Sequence, residues 1–199
     1  MNEVITVENN LSLSEPINDL GFANIIEFSN FLSNSTLVPP SYQRKPENCF
    51  IAIDMANRMN VPVMMVMQNL YVVQGKPSWS GTAVASMLRN CGQFEDVELV
   101  YVGTENTDNW GAYVTAKSKK TGKTLKGATV TIGIAKAEGW YNKAGSKWKT
   151  MPELMLCYRA YAWFGRQHAP EIMMGLQTND EINDATKDVE VVKNPYERN

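Results

Sequence analysis

Residues 97–135, VELVYVGTENTDNWGAYVTAKSKKTGKTLKGATVTIGIA, decide how the rest of the chain is read. Within them VELVYVG, WGAYVTAKSK and KTLKGATVTIGIA are rich in β-branched and aromatic residues and predict three strands. The second and third are joined by Lys119-Lys120-Thr121-Gly122-Lys123, a turn with a positive tip. Strands separated by such short links pair as an antiparallel meander, because a parallel crossover needs a dozen or more residues.

Working outward, LYVVQGKPSWS just upstream is β-rich and interrupted by Gly75, Lys76 and Pro77, which predicts a hairpin. Between hairpin and meander, Ser80 and Gly92 are placed to cap a helix of about ten residues. Further upstream, apolar positions 22, 25, 26 and 32 give helical spacing over 22–34, and Pro39-Pro40 breaks it. A second helix starts near Pro46, carries Ile53, Ala56 and Met59 inward, and ends before Val61-Pro62. VPVMMVMQN predicts a short buried helix, and residues 1–20 a flexible arm.

Downstream of the meander, WYNKAGSKWK predicts a loop. Thr150 with Glu153 has the spacing of a capping box, with Pro152 in the first turn of the helix that follows. After the APEI break, Thr178 and Glu181 repeat that start signal for a last helix, and 189–199 form a short polar tail. The expected fold is α+β: an antiparallel sheet, hairpin plus three-strand meander, packed with several helices as a single domain with its core over 21–188.

Composition bounds the function. A chain of 199 residues, 44 % apolar and 20 % charged, can bury a substantial core. No apolar run reaches spanning length and the first twenty residues carry no basic-then-apolar leader pattern, so no membrane partner is expected. Cys49, Cys91 and Cys157 are odd in number and never at CxxC spacing, which predicts reduced thiols and a cytoplasmic setting. Eleven methionines suit adaptable packing or contacts between copies of the chain.

The formal net charge of −2 hides an asymmetry. Nine lysines (117, 119, 120, 123, 126, 136, 143, 147 and 149) fall between Thr115 and Thr150 against the single acid Glu138. Tyr113, Trp140, Tyr141 and Trp148 are interleaved with them. Lysines track a phosphate backbone by charge attraction and counterion release, and aromatic faces stack on unpaired bases. The candidate DNA-binding residues are Lys117, Lys119, Lys120, Lys123, Lys136, Trp140, Lys143, Lys147, Trp148 and Lys149, with Lys76 and Trp79 from GKPSWS. On the helix from Pro152, Leu154, Tyr158 and Tyr161 share a face expected to pack on the sheet. Met155, Arg159, Ala162 and Arg166 share another, where the two arginines could grip successive phosphates. Reversing both arginines is then expected to abolish DNA work with the fold intact. The same arginines would also suit a solvated face or pairing with acids elsewhere, and the tryptophans would suit a core.

Enzyme patterns fail one by one. Thr121-Gly122-Lys123-Thr124 mimics the end of a phosphate-binding loop, but Lys117 stands where its first glycine belongs and TLKGATVTIGIA reads as strand, not helix. The only histidine, His168, lies eleven residues after Cys157, which matches no common metal spacing; beside Ala169-Pro170 it suits a helix end, satisfying carbonyls. VTAK and GIAK lack the acid that a metal-dependent nuclease sets two residues before its lysine. No catalytic residue, metal or cofactor is predicted; the chain is expected to act by binding.

Four segments then carry a family likeness: the run from LVPPSYQRK to GKPSWS, the NCGQF turn, AKAEGWYNKAGSKWKTMPELMLCYRAYAWFGRQHAPEIMMGL, and TNDEINDA. They span about residues 25 to 186, and W-x-x-x-PE-x-ML-x-x-RA followed by Arg166 and P-E-I-x-x-G is the most specific part. The chain resembles the RecT family of phage and prophage recombinases, and lambda beta protein is similar in plan. The resemblance implies ATP-independent annealing of complementary single strands through an annealed duplex intermediate, in rings or helical filaments. It also implies work beside a phage exonuclease and a host single-strand-binding protein. DNA contact carries over to Lys76, Lys147, Lys149, Arg159 and Arg166. Many relatives have a longer, more basic chain beyond this point, where this one turns acidic. The alternative from another class is a structural phage assembly protein without DNA activity.

Overall fold

A computed structural model describes residues 22–73 and 75–186; the expected arm over 1–20 and tail over 189–199 lie outside the described residues. The architecture is α+β, with helices and two small sheets. The expected 21–188 core is built as two compact units, the first ending at Gln68 and the second beginning at Asn69.

The first unit is helical. Helix α1 (Phe22–Ser33) packs on α2 (Pro46–Met59), whose proline opens the helix where a missing N–H costs nothing. The Pro39-Pro40 break folds back on itself, with Arg44 N donating to Ser33 O at 2.8 Å. Asn60 then takes a left-handed conformation, φ 53°, and its N–H caps carbonyls of Ala56 and Asn57. Ile53 and Ala56 are buried as their spacing predicts, and Met59, in the last turn, is half-buried. Helix α3 (Val63–Asn69) buries Val66 and Met67.

The second unit opens with the expected hairpin, β1 (Leu70–Val73) and β2 (Lys76–Trp79), antiparallel around Gly75 at φ +75°. A third strand, β7 (Gln177–Thr178), joins β2 in parallel. Ser80 caps α4 (Gly81–Asn90) by accepting from Ala83 N at 3.0 Å; the helix ends at Cys91, and Gly92 follows at φ +74°.

The second sheet is built on the predicted meander, with one departure. Strand β3 (Phe94–Val102) pairs with β4 (Gly111–Ser118), which pairs with β5 (Thr124–Lys126) and, at its other end, with β6 (Val130–Thr131). KTLKGATVTIGIA is therefore not one strand. After two short ones the chain turns into α5 (Ile132–Ala137), because the Thr131 hydroxyl accepts from Ile134 N and starts a helix.

Helix α7 (Pro152–His168) packs on the inner face of this sheet and on α4. Thr150 and Glu153 form no capping box. Thr150 instead ends a short helix α6 (Lys147–Thr150) capped by Ser146, and Met151 precedes α7 without a side-chain bond. The faces of α7 follow the spacing argument only in part: Tyr161 is buried and Tyr158 half-buried as expected, but Arg159 on the other face is buried too. Met155, Arg159, Ala162 and Tyr161 are buried, whereas Leu154 is 39 % exposed. Helix α8 (Pro170–Met173) follows, and then α9 (Asn179–Ala185), where Thr178 and Glu181 complete the predicted reciprocal capping box.

Candidate nucleic-acid interface

Strand β4 sorts its residues by alternation. Ala112, Val114, Ala116 and Ser118 face inward and are buried, while Tyr113, Thr115 and Lys117 face the other side. Gly122 at φ +68° lets the chain reverse, and its N–H donates to Ser118 O at 2.7 Å, so TGKT is the turn its composition predicts. The turn is anchored to the sheet by Lys119 N on Gln93 O at 3.0 Å. Lys119, Lys120 and Lys123 project from it into solvent. Among the described residues none of these three has an acidic partner. Beside the turn, Lys117 stands 3.9 Å from Glu95 across the strands, a half-exposed pair of little energetic weight. Lys126 lies over the Tyr113 ring at 4.0 Å.

The cations on and before α7 have a different fate. Arg159 is 4 % exposed, pairs with Asp184, and lies 3.9 Å from Glu181. Its guanidinium sits 4.1 Å over Trp140 and 5.7 Å from Trp148, while the Trp148 indole donates to Asp184 at 2.8 Å. Arg166 pairs with the same Glu181, and Lys147 lies 3.4 Å from Asp180. Lys143 donates to the carbonyls of Asn183 and Thr186 at the end of α9. Helix α9 therefore answers each of these cations with a carboxylate or a carbonyl. Burial pulls the Arg159 guanidinium below its ordinary range and pushes the Asp184 carboxyl up, so desolvation outweighs the mutual attraction at both ends of the pair. Such a pair adds little over an apolar contact, but leaving either charge alone is expensive.

Three sequence expectations change accordingly. Arg159 does not face a phosphate path, because TNDEINDA supplies its counter-charges from within the chain. Reversing Arg159 with Arg166 would leave two acids buried against acids, so an intact fold is not the outcome to expect. Trp148 is fully buried and Trp79 is 1 % exposed with its indole N–H on Met173 O, so neither offers a ring face to a base. Trp140 is half-buried, and Arg159 already lies over its ring.

Of the remaining candidates, Lys136 pairs with Asp108 at 2.5 Å. Lys76 and Lys149 are exposed and have no acidic partner among the described residues. The unpaired lysines do not form one cluster. The β4–β5 turn lies by the C-terminal end of α7, where Phe94 meets Phe164 edge to face at 5.4 Å and His168 meets Lys126 O at 3.1 Å. That histidine serves a carbonyl of β5, not one of its own helix. Lys149 precedes the opposite end of α7, and a helix of 17 residues is about 25 Å long.

Tyr113 with Lys126 is the arrangement that sequence reasoning left out of its site. The signal was the alternation in WGAYVTAK, which sends Tyr113 and Lys117 to one face. Among the described residues no three His, Cys, Asp or Glu side chains gather as a metal site, and no helix is long and apolar enough to cross a membrane. Compared with protein-family models, with curated proteins and with solved structures, the chain matches none.

Proposed function

We propose that this chain is an ATP-independent single-strand annealing protein of RecT type, working in the cytoplasm of a bacterial host. Copies of it assemble into a ring or filament, and the lysines of neighbouring copies line one groove. A single strand lies in that groove with its phosphates held, a complementary strand pairs with its bases, and the duplex stays bound. Holding the template extended removes part of the ordering entropy from pairing, and the lysines screen repulsion between the strands. No bond in DNA is made or broken, so the activity calls for no nucleotide cofactor and no catalytic acid. A phage exonuclease would supply the single strands and a host single-strand-binding protein would share them.

The observation that carries this reading is the β4–β5 hairpin. Lys119, Lys120 and Lys123 crowd one turn without counter-charge among the described residues, in a chain whose net charge is −2. Like charges so close repel one another, and a polyanion relieves that repulsion. The likeness of the quoted segments to RecT proteins adds the annealing chemistry.

The test is a gel shift with single-stranded oligonucleotides over a range of salt, followed by annealing with complementary strands added in sequence. If each protomer neutralises about four phosphates, log affinity falls with log salt at a slope of about −3 per protomer. A flat response, or no binding at low salt, contradicts the proposal and favours the rival: a phage assembly protein using exposed apolar side chains such as Phe31 and Leu37 for self-contact. Metal-dependent loss of the oligonucleotide would instead indicate a nuclease.

A further inference from the structure

We infer that the outer face of β4 and β5 is the platform on which the unpaired strand lays its bases, with Tyr113 as the stacking ring and Lys126 as its phosphate partner. This rests on the reading of the chain as a single-strand binder. Helix α7 covers the inner side of the sheet; the outer side carries Tyr113, Thr115 and Lys117 from β4, and by register Thr124 and Lys126 from β5. The register also sets Glu98 opposite Thr115 and Glu95 opposite Lys117 on the β3 side. The face is thus divided along β4, acidic toward β3 and basic toward β5. A polyanion is steered to the basic half, a band that begins at the turn lysines and continues through Lys117 to Lys126. Tyr113 is where that band meets an aromatic ring.

The Thr115 hydroxyl is already bound to Leu125 O at 3.0 Å, so it does not compete for a ligand. The Tyr113 ring has Lys126 Nζ at 4.0 Å. A cation over a ring at a half-exposed site is held weakly, and the same two groups are what a nucleotide needs: a π-face for its base and an ammonium for its phosphate. On binding, the Lys126 ammonium moves from ring to phosphate and the base takes its place. Stacking of this kind tolerates any base, as annealing of arbitrary sequences requires.

The experiment compares Tyr113→Ala and Tyr113→Phe with the parent chain on two labelled probes of equal length, oligo-dT and an abasic deoxyribose-phosphate oligomer. Thermal unfolding checks that each variant is folded. Y113A should bind oligo-dT about tenfold more weakly than the parent and the abasic oligomer equally well, while Y113F keeps the parent's affinity for both. Lys126→Ala should lower the salt slope on both probes by about 0.7. Equal losses on both probes, or no loss on oligo-dT, overturn the platform while leaving single-strand binding standing. A parent chain that binds neither probe overturns both readings together. Tighter binding of a duplex of the same length would also overturn the platform, since paired bases cannot stack on Tyr113.

Discussion

Both the β4–β5 hairpin and the α6–α7 segment are cationic in sequence, yet among the described residues the hairpin leaves its three turn lysines without an acid, whereas the α6–α7 segment leaves only Lys149 so. Lys119, Lys120 and Lys123 stand in solvent on the turn itself, just past the β3–β4 ladder that sets Glu95 opposite Lys117. Lys147, Arg159 and Arg166 are met by Asp180, Asp184 and Glu181, which arrive from far along the chain on α9. A run of basic residues therefore describes a surface only after the fold has chosen their neighbours. Where the chain comes back with an acidic helix, basic charge becomes internal structure. Where a turn carries its lysines past the end of the strand pairing, that charge remains available for a ligand.

The comparison breaks most visibly at Arg159. Arg159→Ala or Asp184→Ala should each lower unfolding free energy by about 3–5 kcal/mol, because the partner is left charged in a dry site. Arg159→Met combined with Asp184→Leu should cost clearly less than the two single losses added together. Urea unfolding of all three measures this. If Arg159→Ala were as stable as the parent and lost only DNA binding, α7 would belong with the hairpin after all.

Charge reversal on the hairpin should do the opposite. Lys119→Glu, Lys120→Glu and Lys123→Glu together should weaken single-strand binding by about two orders of magnitude at low salt and reduce the salt slope by about 2. Exposed positions of this kind leave stability within about 0.5 kcal/mol. Fluorescence titration at several salt concentrations, paired with urea unfolding, separates the two effects. Unchanged affinity would remove the hairpin from the interface.

Local rules were legible where the competing physics was local. The hairpin at Gly75, the Ser80 cap, the TGKT turn and the Thr178–Glu181 capping box each depend on residues within four positions of one another. The failures came from neighbours the sequence does not order. Thr150 and Glu153 have the right spacing, but Ser146 starts a helix first and uses Thr150 up in its last turn. Thr131 ends a strand by capping, a choice invisible in a β-rich run of TVTIGIA. Arginines at 159 and 166 have surface spacing, and only the return of TNDEINDA shows that their face is the buried one.

A smaller effect tests whether α9 is held as a unit. The Glu181 carboxylate serves two ends: one oxygen accepts from Thr178 N at 2.9 Å in the capping box, the other receives Arg166. Thr178→Ala removes a buried cap and should cost about 1 kcal/mol. The loss should shrink in an Arg166→Ala background, since the two changes share Glu181. Strict additivity in a double-mutant cycle would mean that cap and ion pair act independently.

The finest version of the comparison lies within one turn. Lys147 and Lys149 flank buried Trp148; Lys147 reaches Asp180 at 3.4 Å, and Lys149 reaches no acid among the described residues. Both lysines are exposed but Asp180 is buried, so Lys147→Ala takes an ammonium away from a buried carboxylate and should lower stability by about 1 kcal/mol. Lys149→Ala should leave stability within about 0.5 kcal/mol. Its place is in the binding data: a salt slope lower by about 0.7, the share of one phosphate, with affinity falling far less than for the hairpin triple change. Lys147→Ala should leave that slope where it was, because an ammonium already facing Asp180 releases no counterion from DNA. Should the two substitutions change the slope equally, pairing within the chain would not be what decides which lysines meet the nucleic acid.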